Sequence, residues 1–533
     1  MKKNMILGLV LVFLAVLVVP CFGSGSQAAG ESTSSNVNLT GLPIVKNKIT
    51  LSYFVAIQPR TIMTRSNWNE FEIYQKLEQL TNIHIDFIHP PVGQERQQYN
   101  LILASQNLPD ILYIQKGWVP PAVLLEDGNI LKLNDLMAKH APTWTALMNK
   151  SQLVSKQSKL DDGTLYMFPT LSGGSLERGP TTNGPFIRKD WLDRTGLPVP
   201  VTMDDWYKML TAFKKLDPKY IPFVPQGLDI LSRFASPYGV VMRGFFHENN
   251  VVKFSPIDPR FREFLVTMER WYREGLIDPD FAALNNDMMD AKMGGGIGGV
   301  TSGQLAGNLG RYMGTLAIAD PKAVLLGVPY PAAADGKIYG YAPENLTPVV
   351  GRGASITSKN KNVIESVRWL DYHYSDTATM MFNFGIEGLT YNMVNGNPVF
   401  NDHIYKNPDG LTYDVALGKY TMLAGIDTAM VQDPRSFAQN STPSETQRNA
   451  HAIWSTASTE KLMPPVDLTP AEATQFTNIM NAINTYVGEN VVKFIMGQEP
   501  IANFDKFVSA IKSMNIDGAI KIQQDALNRY NKR

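Results

Sequence analysis

The chain has 533 residues, of which 44% are hydrophobic and 18% are charged. This length is too great for one simple core and predicts two compact units of an ordinary globular protein. Lys and Arg together number 49, as do Asp and Glu, so the formal net charge is zero. A balanced charge creates no general attraction to nucleic acid or to an anionic bilayer, and we expect neither as a partner.

The first 23 residues are predicted to be an export signal that is not part of the fold. Lysines at positions 2 and 3 precede an apolar stretch, 5–19, which is shorter than the ~20 residues of a membrane span. The next stretch, 24–45, begins with Ser, Gly, Ala and Asn and is predicted to be a flexible tether. We therefore expect an exported protein, in the periplasm or at the outer face of the cytoplasmic membrane.

Cys21 is the only cysteine in the chain. Residues 18–21 resemble a lipobox, which would make Cys21 a lipidated mature N-terminus, although Pro20 departs from that pattern. Ordinary cleavage after Gly23 or Ala28 is the alternative, and both stay open. In either case the mature body has no disulfide, no cysteine nucleophile and no thiolate metal site.

The folded part opens with a β-α-β-α-β pattern. Alternating or uninterrupted apolar residues predict three strands, at 49–55, 83–87 and 111–114. Apolar residues at three- and four-residue steps predict helices between them, at 70–80 and 95–105. Asn67 and Glu70 have the spacing of a cap for the first helix. Strands that alternate with helices predict a parallel sheet, whose ligands bind beyond the carboxyl ends of the strands, where the loop 115–118 falls.

A second unit is predicted to begin after residue 185. Thr202 and Asp205 form a capping box that opens an amphipathic helix, and a later helix, 261–274, stops at Gly275. Residues 363–374 are also predicted to be helical. The C-terminal part is mostly helical, with Thr469 as a cap before a proline and an apolar stripe along 504–514.

Five segments, in this order, carry a family resemblance: 99–105 (YNLILAS), 108–111 (LPDI), 187–193 (IRKDWLD), 271–279 (WYREGLIDP) and 385–391 (GIEGLTY). They resemble family 1 of the extracellular solute-binding proteins of ABC importers, in the lipoprotein LipO-like branch, which is related to alginate- and pectin-oligosaccharide binders. The resemblance implies an α/β, two-lobed periplasmic-binding-protein fold, type II-like. Each lobe would be a mainly parallel sheet flanked by helices, with a helical C-terminal region.

The same resemblance implies the domain boundaries and the function. The N-terminal lobe would comprise 46–185 and 330–376, the C-terminal lobe 186–329 and 377–533, with hinge strands near 185–188 and 326–330. The protein would act as a monomer that captures an oligosaccharide between its lobes and delivers it to ABC permease subunits, without catalysis. The alternatives are a secreted glycoside hydrolase, which needs only two carboxylates placed by the fold, and the ligand-binding module of a sensory system.

Metal and cofactor sites are not expected. Alginate-binding members of the family carry a calcium loop rich in Asp, Asn and Gly, but residues 216–222 (LDPKYIP) lack that run of oxygen ligands. Gly294, Gly296 and Gly299 match GxGxxG with Asp320 about 20 residues further on, yet a polar stretch precedes them where a dinucleotide site needs a strand. We interpret this motif as a backbone loop near the cleft. No phosphate loop, GxSxG or HExxH motif is present.

Sugar sites combine flat apolar faces with planar polar groups, which selects the candidate ligand residues. Trp118 is the first of them, because it follows a strand at the carboxyl edge of the predicted sheet. The resemblance adds Phe234, Tyr238, Arg243, Glu387 and Tyr391. Further candidates for the cleft are Asn183, Gln304, Arg352 and Trp454. Each of these residues has packing or loop fixation as its alternative role. Arg188 and Asp190 are predicted to fix the hinge.

Overall fold

The structure is a computed structural model that describes residues 35–533 except 174, 178, 180, 242, 342–346 and 425–427. The predicted signal, Cys21 and the first part of the tether lie outside the described residues. The rest of the predicted tether is folded, because its apolar residues reach the first core. Val37, Ile44 and Val45 are 7%, 1% and 0% exposed, and Val37 pairs with Val45.

The strands are, in chain order, β1 Ile49–Phe54, β2 Ile83–Ile88, β3 Ile111–Gln115, β4 Phe168–Leu171, β5 Asn183–Arg188, β6 Ile221–Phe223, β7 Phe245–Glu248, β8 Val251–Phe254, β9 Gly298–Gln304, β10 Leu325–Gly327, β11 Val349–Ile356, β12 Tyr391–Val394, β13 Asn397–Phe400 and β14 Met430–Val431.

The α-helices are α1 Pro59–Ile62, α2 Glu72–Thr81, α3 Glu95–Ser105, α4 Pro121–Glu126, α5 Asn134–His140, α6 Pro142–Asn149, α7 Gln152–Gln157, α8 Lys189–Thr195, α9 Met203–Leu216, α10 Gly227–Ser232, α11 Pro259–Arg273, α12 Asn286–Met289, α13 Arg311–Ala319, α14 Val363–Tyr372, α15 Asp376–Phe384, α16 Asp402–Tyr405, α17 Tyr413–Tyr420, α18 Pro434–Ser441, α19 Glu445–Trp454, α20 Pro470–Ile495, α21 Phe504–Ser513 and α22 Ile516–Lys532.

The first lobe is built on a six-stranded sheet in the order β14-β4-β11-β3-β1-β2. β11 runs antiparallel to both of its neighbours, and the other five strands share one direction. The burial of β2 alternates as its sequence predicts, so one face of the sheet edge packs inward. Tyr53, Trp144 and Trp369, each at most 1% exposed, pack with this sheet in one core.

The second lobe is built on a four-stranded sheet in the order β10-β5-β9-β6. β6, β9 and β10 share one direction, and β5 runs against β9 and β10. Because side chains alternate along a strand, β5 serves two cores. Ile187 packs into a core that includes α9, α11 and α20, and Phe186 packs on the other side with Trp454.

A smaller unit, residues 384–423, lies between α15 and β14 and has its own core. We call it the rim subdomain. It contains the hairpin β12–β13 with α16 and α17, and its hydrophobic core consists of Phe384, Tyr391, Phe400, Ile404, Ala416, Leu417 and Tyr420. Gln439 of α18 holds the hairpin, since its side chain accepts from Phe400 N (3.0 Å) and donates to Pro398 O (2.8 Å).

Besides the tether, three sequence predictions differ from the structure. The Asn67–Glu70 box caps a short 3-10 turn, Trp68–Glu70, and α2 begins only after Phe71. β5 begins at residue 183 inside the second sheet, so the first lobe does not extend to 185. β14 pairs in parallel with β4. The stretch around 430 therefore belongs to the first sheet and not to the C-terminal lobe, to which 377–533 was assigned.

Candidate functional site

Three stretches of chain connect the two sheets, and we call them crossings one, two and three. They run from the end of β4 to the start of β5, from the end of β10 to the start of β11, and from the end of β14 to α19. In the first sheet these points lie at the carboxyl edge of the strands that share one direction. In the second sheet the crossings end or begin at the carboxyl edge of β6, β9 and β10. Crossing three ends at α19, which packs beside this edge. The two carboxyl edges therefore border one cleft, and such edges are where α/β sheets bind ligands.

The first wall of the cleft is formed by the loop after β3. Gln115 and Arg352 are direct partners in the antiparallel β3–β11 pair, so their positions lie side by side at this edge. Trp118 follows them and is half-buried. Its ring meets Tyr99 and Tyr113 edge-on, at centroid distances of 5.3 and 5.6 Å. The first core thus fixes the ring of Trp118 while part of its surface stays accessible.

The second wall is formed by the end of β9 and the start of β5. Asn183 and Gln304 are direct partners in this antiparallel pair; Gln304 is exposed and Asn183 is half-buried. Ser302 shares their face of the sheet, two residues before Gln304. Its hydroxyl is hydrogen-bonded to Tyr330 OH (2.6 Å) and accepts from Arg233 Nη1 (3.0 Å).

Arg233 is held in a fixed plane beside this wall. Its guanidinium carbon lies 4.4 Å from the ring centroid of Tyr341, and its Nη1 donates to Tyr341 OH (3.1 Å). A stacked guanidinium presents its donors in a rigid fork and loses little conformational freedom when it binds another group. Arg233 can therefore serve as an oriented hydrogen-bond donor for a polar ligand.

A cavity of about 450 Å³ opens between crossings one and three. Pro434, Phe437 and Ala438 line it from one face of α18, because residues three and four apart on a helix are neighbours. Thr181 lines it from crossing one. The imidazole of His451 lies 5.7 Å from the Phe437 ring, centroid to centroid. The volume falls within the range of small-molecule sites, about 300–1,000 Å³.

Four of the ten predicted ligand residues lie on these walls: Trp118 and Arg352 on the first, Asn183 and Gln304 on the second. Their binding role stays a prediction. The structure adds five residues that sequence reasoning missed, namely Arg233, Tyr341, Gln432, Phe437 and His451. Gln432 connects crossings one and three, since its Oε1 accepts from Gly173 N at 2.9 Å.

A sequence signal existed for two of the missed residues. Arg233 directly precedes Phe234, which the sequence predicted as a ligand residue. Because adjacent residues of a helical turn point in different directions, the sequence did not determine which of the two side chains faces the cleft. For Phe437, the Asp-Pro pair at 433–434 follows a short apolar run and marks a helix start at the end of a strand.

Two predicted ligand residues are corrected by their burial. Phe234 is 0% exposed and packs against Trp206 and Phe223 at 5.0 Å, inside the second core. Trp454 is 3% exposed, lies against Gly184, and donates from its indole nitrogen to Val328 O at 3.0 Å. Both rings stabilise the second lobe and present no face to the cleft.

The remaining predicted residues have structural partners of their own. Tyr238 donates to Thr267 Oγ1 of α11 at 2.6 Å, and Arg243 forms an ion pair with Asp229. Tyr391, 6% exposed, packs in the core of the rim subdomain, and the exposed Glu387 pairs with it through the backbone. These contacts favour packing and loop fixation, the alternative role that the sequence left open.

The glycine motif lies at the wrong end of its strand for a cleft loop. Gly294 and Gly296 precede β9, whose other end borders the cleft. Arg188, 2% exposed, donates to Gly296 O (3.0 Å) and pairs with Asp190 (2.6 Å) and Asp320 (3.0 Å). This cluster fixes loops at the far edge of the second sheet, so the prediction that Arg188 and Asp190 fix the hinge is corrected. The predicted hinge strands are themselves strands of that sheet, β5 and β10.

The described residues also bear on metal and membrane contacts. They contain no group of three or more His, Cys, Asp or Glu side chains placed to hold a metal ion. In residues 216–222, where no calcium loop is predicted, Asp217 accepts from Lys219 N (2.8 Å) and Tyr220 stacks on Trp191 with ring centroids 3.9 Å apart. None of the described helices is both long and apolar enough to span a bilayer.

Two curated proteins match most of the chain in sequence. The chain is 25% identical over 400 residues to the fructooligosaccharide ABC transporter substrate-binding protein FusA of Streptococcus pneumoniae, covering 71% of this chain and 70% of FusA. It is 24% identical over 477 residues to lipoprotein LipO of Bacillus subtilis, covering 85% of this chain and 88% of LipO. No family model matches the chain.

Solved structures match nearly the whole chain. The alginate-binding protein AlgQ2 without calcium superposes with a TM-score of 0.72 at 23% identity, over 93% of this chain and 99% of AlgQ2. FusA of S. pneumoniae in complex with kestose gives 0.70 at 20% identity, over 91% of this chain and 100% of FusA. These likenesses confirm the two-lobed α/β fold, and with the sequence matches they confirm the predicted resemblance: the chain is a relative of the solute-binding proteins of ABC transporters.

Proposed function

We propose that the protein is the extracytoplasmic solute-binding component of an ABC importer, which captures an oligosaccharide between its lobes and delivers it to the permease. The observation that carries this proposal is the cleft, where three crossings join the carboxyl edges of both sheets. The relatives support it, since FusA is named for fructooligosaccharide and AlgQ2 for alginate, and both are named as binding proteins rather than enzymes.

The chemistry of the cleft suits a sugar. Trp118 supplies accessible ring surface for the C–H face of a sugar, Phe437 adds an apolar edge to the cavity lining, and Arg233, Gln304 and Arg352 supply planar polar groups for hydroxyls. These groups come from both lobes, so a ligand that contacts all of them favours the closed arrangement of the lobes. The permease would then recognise the surface that both lobes form together.

The proposal includes where and how the protein works. It is exported and acts outside the cytoplasmic membrane, held there by a lipid on Cys21 or released after cleavage of the signal. It works as a monomer without a cofactor and does not bind nucleic acid. Its ligand is bound and released chemically unchanged.

A binding screen combined with product analysis tests the proposal. The purified protein is heated with fructo-, galacturono-, malto- and N-acetylhexosamine oligosaccharides, and each mixture is then separated by chromatography. We expect at least one class to raise the melting temperature and to be recovered intact. Recovery of shortened products would contradict a pure binding role and support a hydrolase. The absence of any shift across the panel would contradict oligosaccharide capture.

A further inference from the structure

The rim subdomain carries an exposed aromatic pair that the cleft walls do not use. Tyr405 and Tyr413 stack with their ring planes 8° apart and their centroids 5.4 Å apart. Tyr405 is 46% exposed although Tyr413 covers one of its faces. Nearly half of the surface of Tyr405 is therefore available to another molecule.

Two contacts place this aromatic pair beside the cleft. Tyr413 OH donates to the backbone carbonyl of Gln439 on α18 at 3.3 Å. Thr442, which follows the last residue of α18, lines the cavity. Asp414, the next residue, lies 3.3 Å from Arg60 on α1, which follows the carboxyl end of β1. The pair is thus held between two elements that start at the carboxyl edge of the first sheet.

The polar groups beside the stack complete the chemistry of a sugar site. Arg60 and Asp414 keep 45% and 54% of their side-chain surfaces exposed. An exposed pair of this kind contributes only about 0–1 kcal/mol to stability, and its remaining donors and acceptors are available to other groups. An accessible aromatic side chain on the same rim as a guanidinium and a carboxylate offers stacking for a sugar ring and hydrogen bonds for its hydroxyls.

We propose that Tyr405 and Tyr413, with Arg60 and Asp414, form an outer carbohydrate subsite that holds a further ring of the ligand in the cleft. This inference rests on the proposed function and deepens it. The ligand is an oligosaccharide long enough to extend from the cavity across the end of α18 to the rim subdomain. Short oligosaccharides occupy only the cavity, so affinity rises with chain length until the outer subsite is filled.

Calorimetric titration with size series tests the inference. The probes are inulin-type fructo-oligosaccharides, oligogalacturonides and malto-oligosaccharides, each from disaccharide to hexasaccharide. For the class that binds, Tyr405→Ala is expected to weaken the longer members by about tenfold and to leave the disaccharide unchanged. Tyr405→Trp keeps a flat ring and is expected to retain the affinity for the longer members. Met393→Ala is the matched control, because Met393 is 44% exposed on β12 of the same subdomain.

The outcomes separate the subsite from the proposed function. Equal affinities of the wild type and Tyr405→Ala at every length would overturn the outer subsite and leave the proposed function in place. A loss at every length, the disaccharide included, would also overturn it, because that result reports a general disturbance of the fold. If the wild type binds no member of these series and no N-acetylhexosamine oligosaccharide of the screen, the proposed function fails and the outer subsite fails with it.

Discussion

Lys116 Nζ lies 3.1 Å from Asp467 Oδ1 and joins the loop that carries Trp118 to the second lobe. Asp467 belongs to that lobe, since its neighbour Val466 packs with Val252 and Leu527. The side chains of the pair are 19% and 10% exposed. Burial acts to lower the pKa of Lys116, but the carboxylate of Asp467 and the hydroxyl of Tyr166 together outweigh it and raise that pKa above its usual value. The first wall of the cleft cannot leave the second lobe without separating a largely buried ion pair.

We expect Asp467→Asn to cost more stability than Lys116→Met. The first change leaves a buried ammonium without its counter-charge, which destabilises by about 3–5 kcal/mol. After Lys116→Met, Asp467 still pairs with Arg533 at 2.9 Å, so the expected loss is only about 1 kcal/mol. The double variant should lose less than the sum of the single losses. Free energies of unfolding in urea provide the measurement, and equal single losses or strict additivity would contradict this account.

Asp161 forms a second connection between the lobes. It accepts from Arg529 Nε at 2.7 Å and from Arg533 Nε at 2.8 Å, and the Arg533 side chain is only 4% exposed. We expect Asp161→Asn to lower the melting temperature and to raise the radius of gyration measured by small-angle X-ray scattering, as the lobes separate.

Asp162→Asn is the matched control for that change. Asp162 accepts from Thr164 N at 2.9 Å within its own turn. Partial burial acts to raise the pKa of Asp162, but the hydrogen bonds from Thr164 hold it below the usual value. We expect this variant to lose some stability without a change in the radius of gyration. The same scattering profile for both variants would show that Asp161 does not hold the lobes together.

Local features of the fold could be predicted because their determinants lie a few residues apart. α3 spans Glu95–Ser105 as predicted, and the Thr202–Asp205 capping box opens α9. β14 could not be predicted, because it is two residues long and exists only through pairing of Met430 with Thr170, far earlier in the chain. No local periodicity reports such a contact.

The candidate site could likewise be predicted only in part. Trp118 could be placed at a strand edge from the order of elements, and it lies there. Phe234 and Arg233 are adjacent, and only the packing of the second lobe decides that the ring is buried and that the guanidinium lies beside Ser302. The cavity lining on α18 depends on crossings whose ends are distant in sequence, so single-sequence patterns do not identify it.

His373 is expected to make the first lobe sensitive to acid. It is 0% exposed between Trp369 and Phe382, with Nδ1 2.9 Å from Ala429 O, and burial lowers its pKa to about 4. Because the folded-state pKa lies below the unfolded value of about 6.5, stability is full above that pH and is lost as the pH falls towards 4. The loss amounts to about 3 kcal/mol.

The measurement is the free energy of unfolding between about pH 7 and pH 4. His373→Leu should lower stability at neutral pH, through the lost hydrogen bond, but should flatten the decline in this window. His84→Gln is the control, since His84 lies on the surface beside Glu78. An undiminished decline in His373→Leu would assign the acid sensitivity to other groups.

Ligand affinity is expected to depend on one residue from each wall of the cleft. Trp118→Ala removes the accessible ring of the first wall and should weaken binding by about 1–3 kcal/mol, whereas Trp118→Phe should retain most of the affinity.

Arg233→Gln removes the oriented guanidinium of the second wall and should weaken binding by about 1–3 kcal/mol. Arg243→Gln is the control for the second change, because Arg243 of the same lobe is engaged by Asp229, whereas Arg233 is engaged by Ser302 and Tyr341 of the second wall. Calorimetry with the oligosaccharide found by the screen gives the affinities, and melting temperatures without ligand exclude unfolding as the cause.

Since Trp118 and Arg233 lie on different lobes and would contact different parts of one ligand, their losses of binding free energy should add in the double variant. An unchanged affinity of Trp118→Ala would remove that residue from the site, and equal losses for Arg233→Gln and Arg243→Gln would remove the second wall.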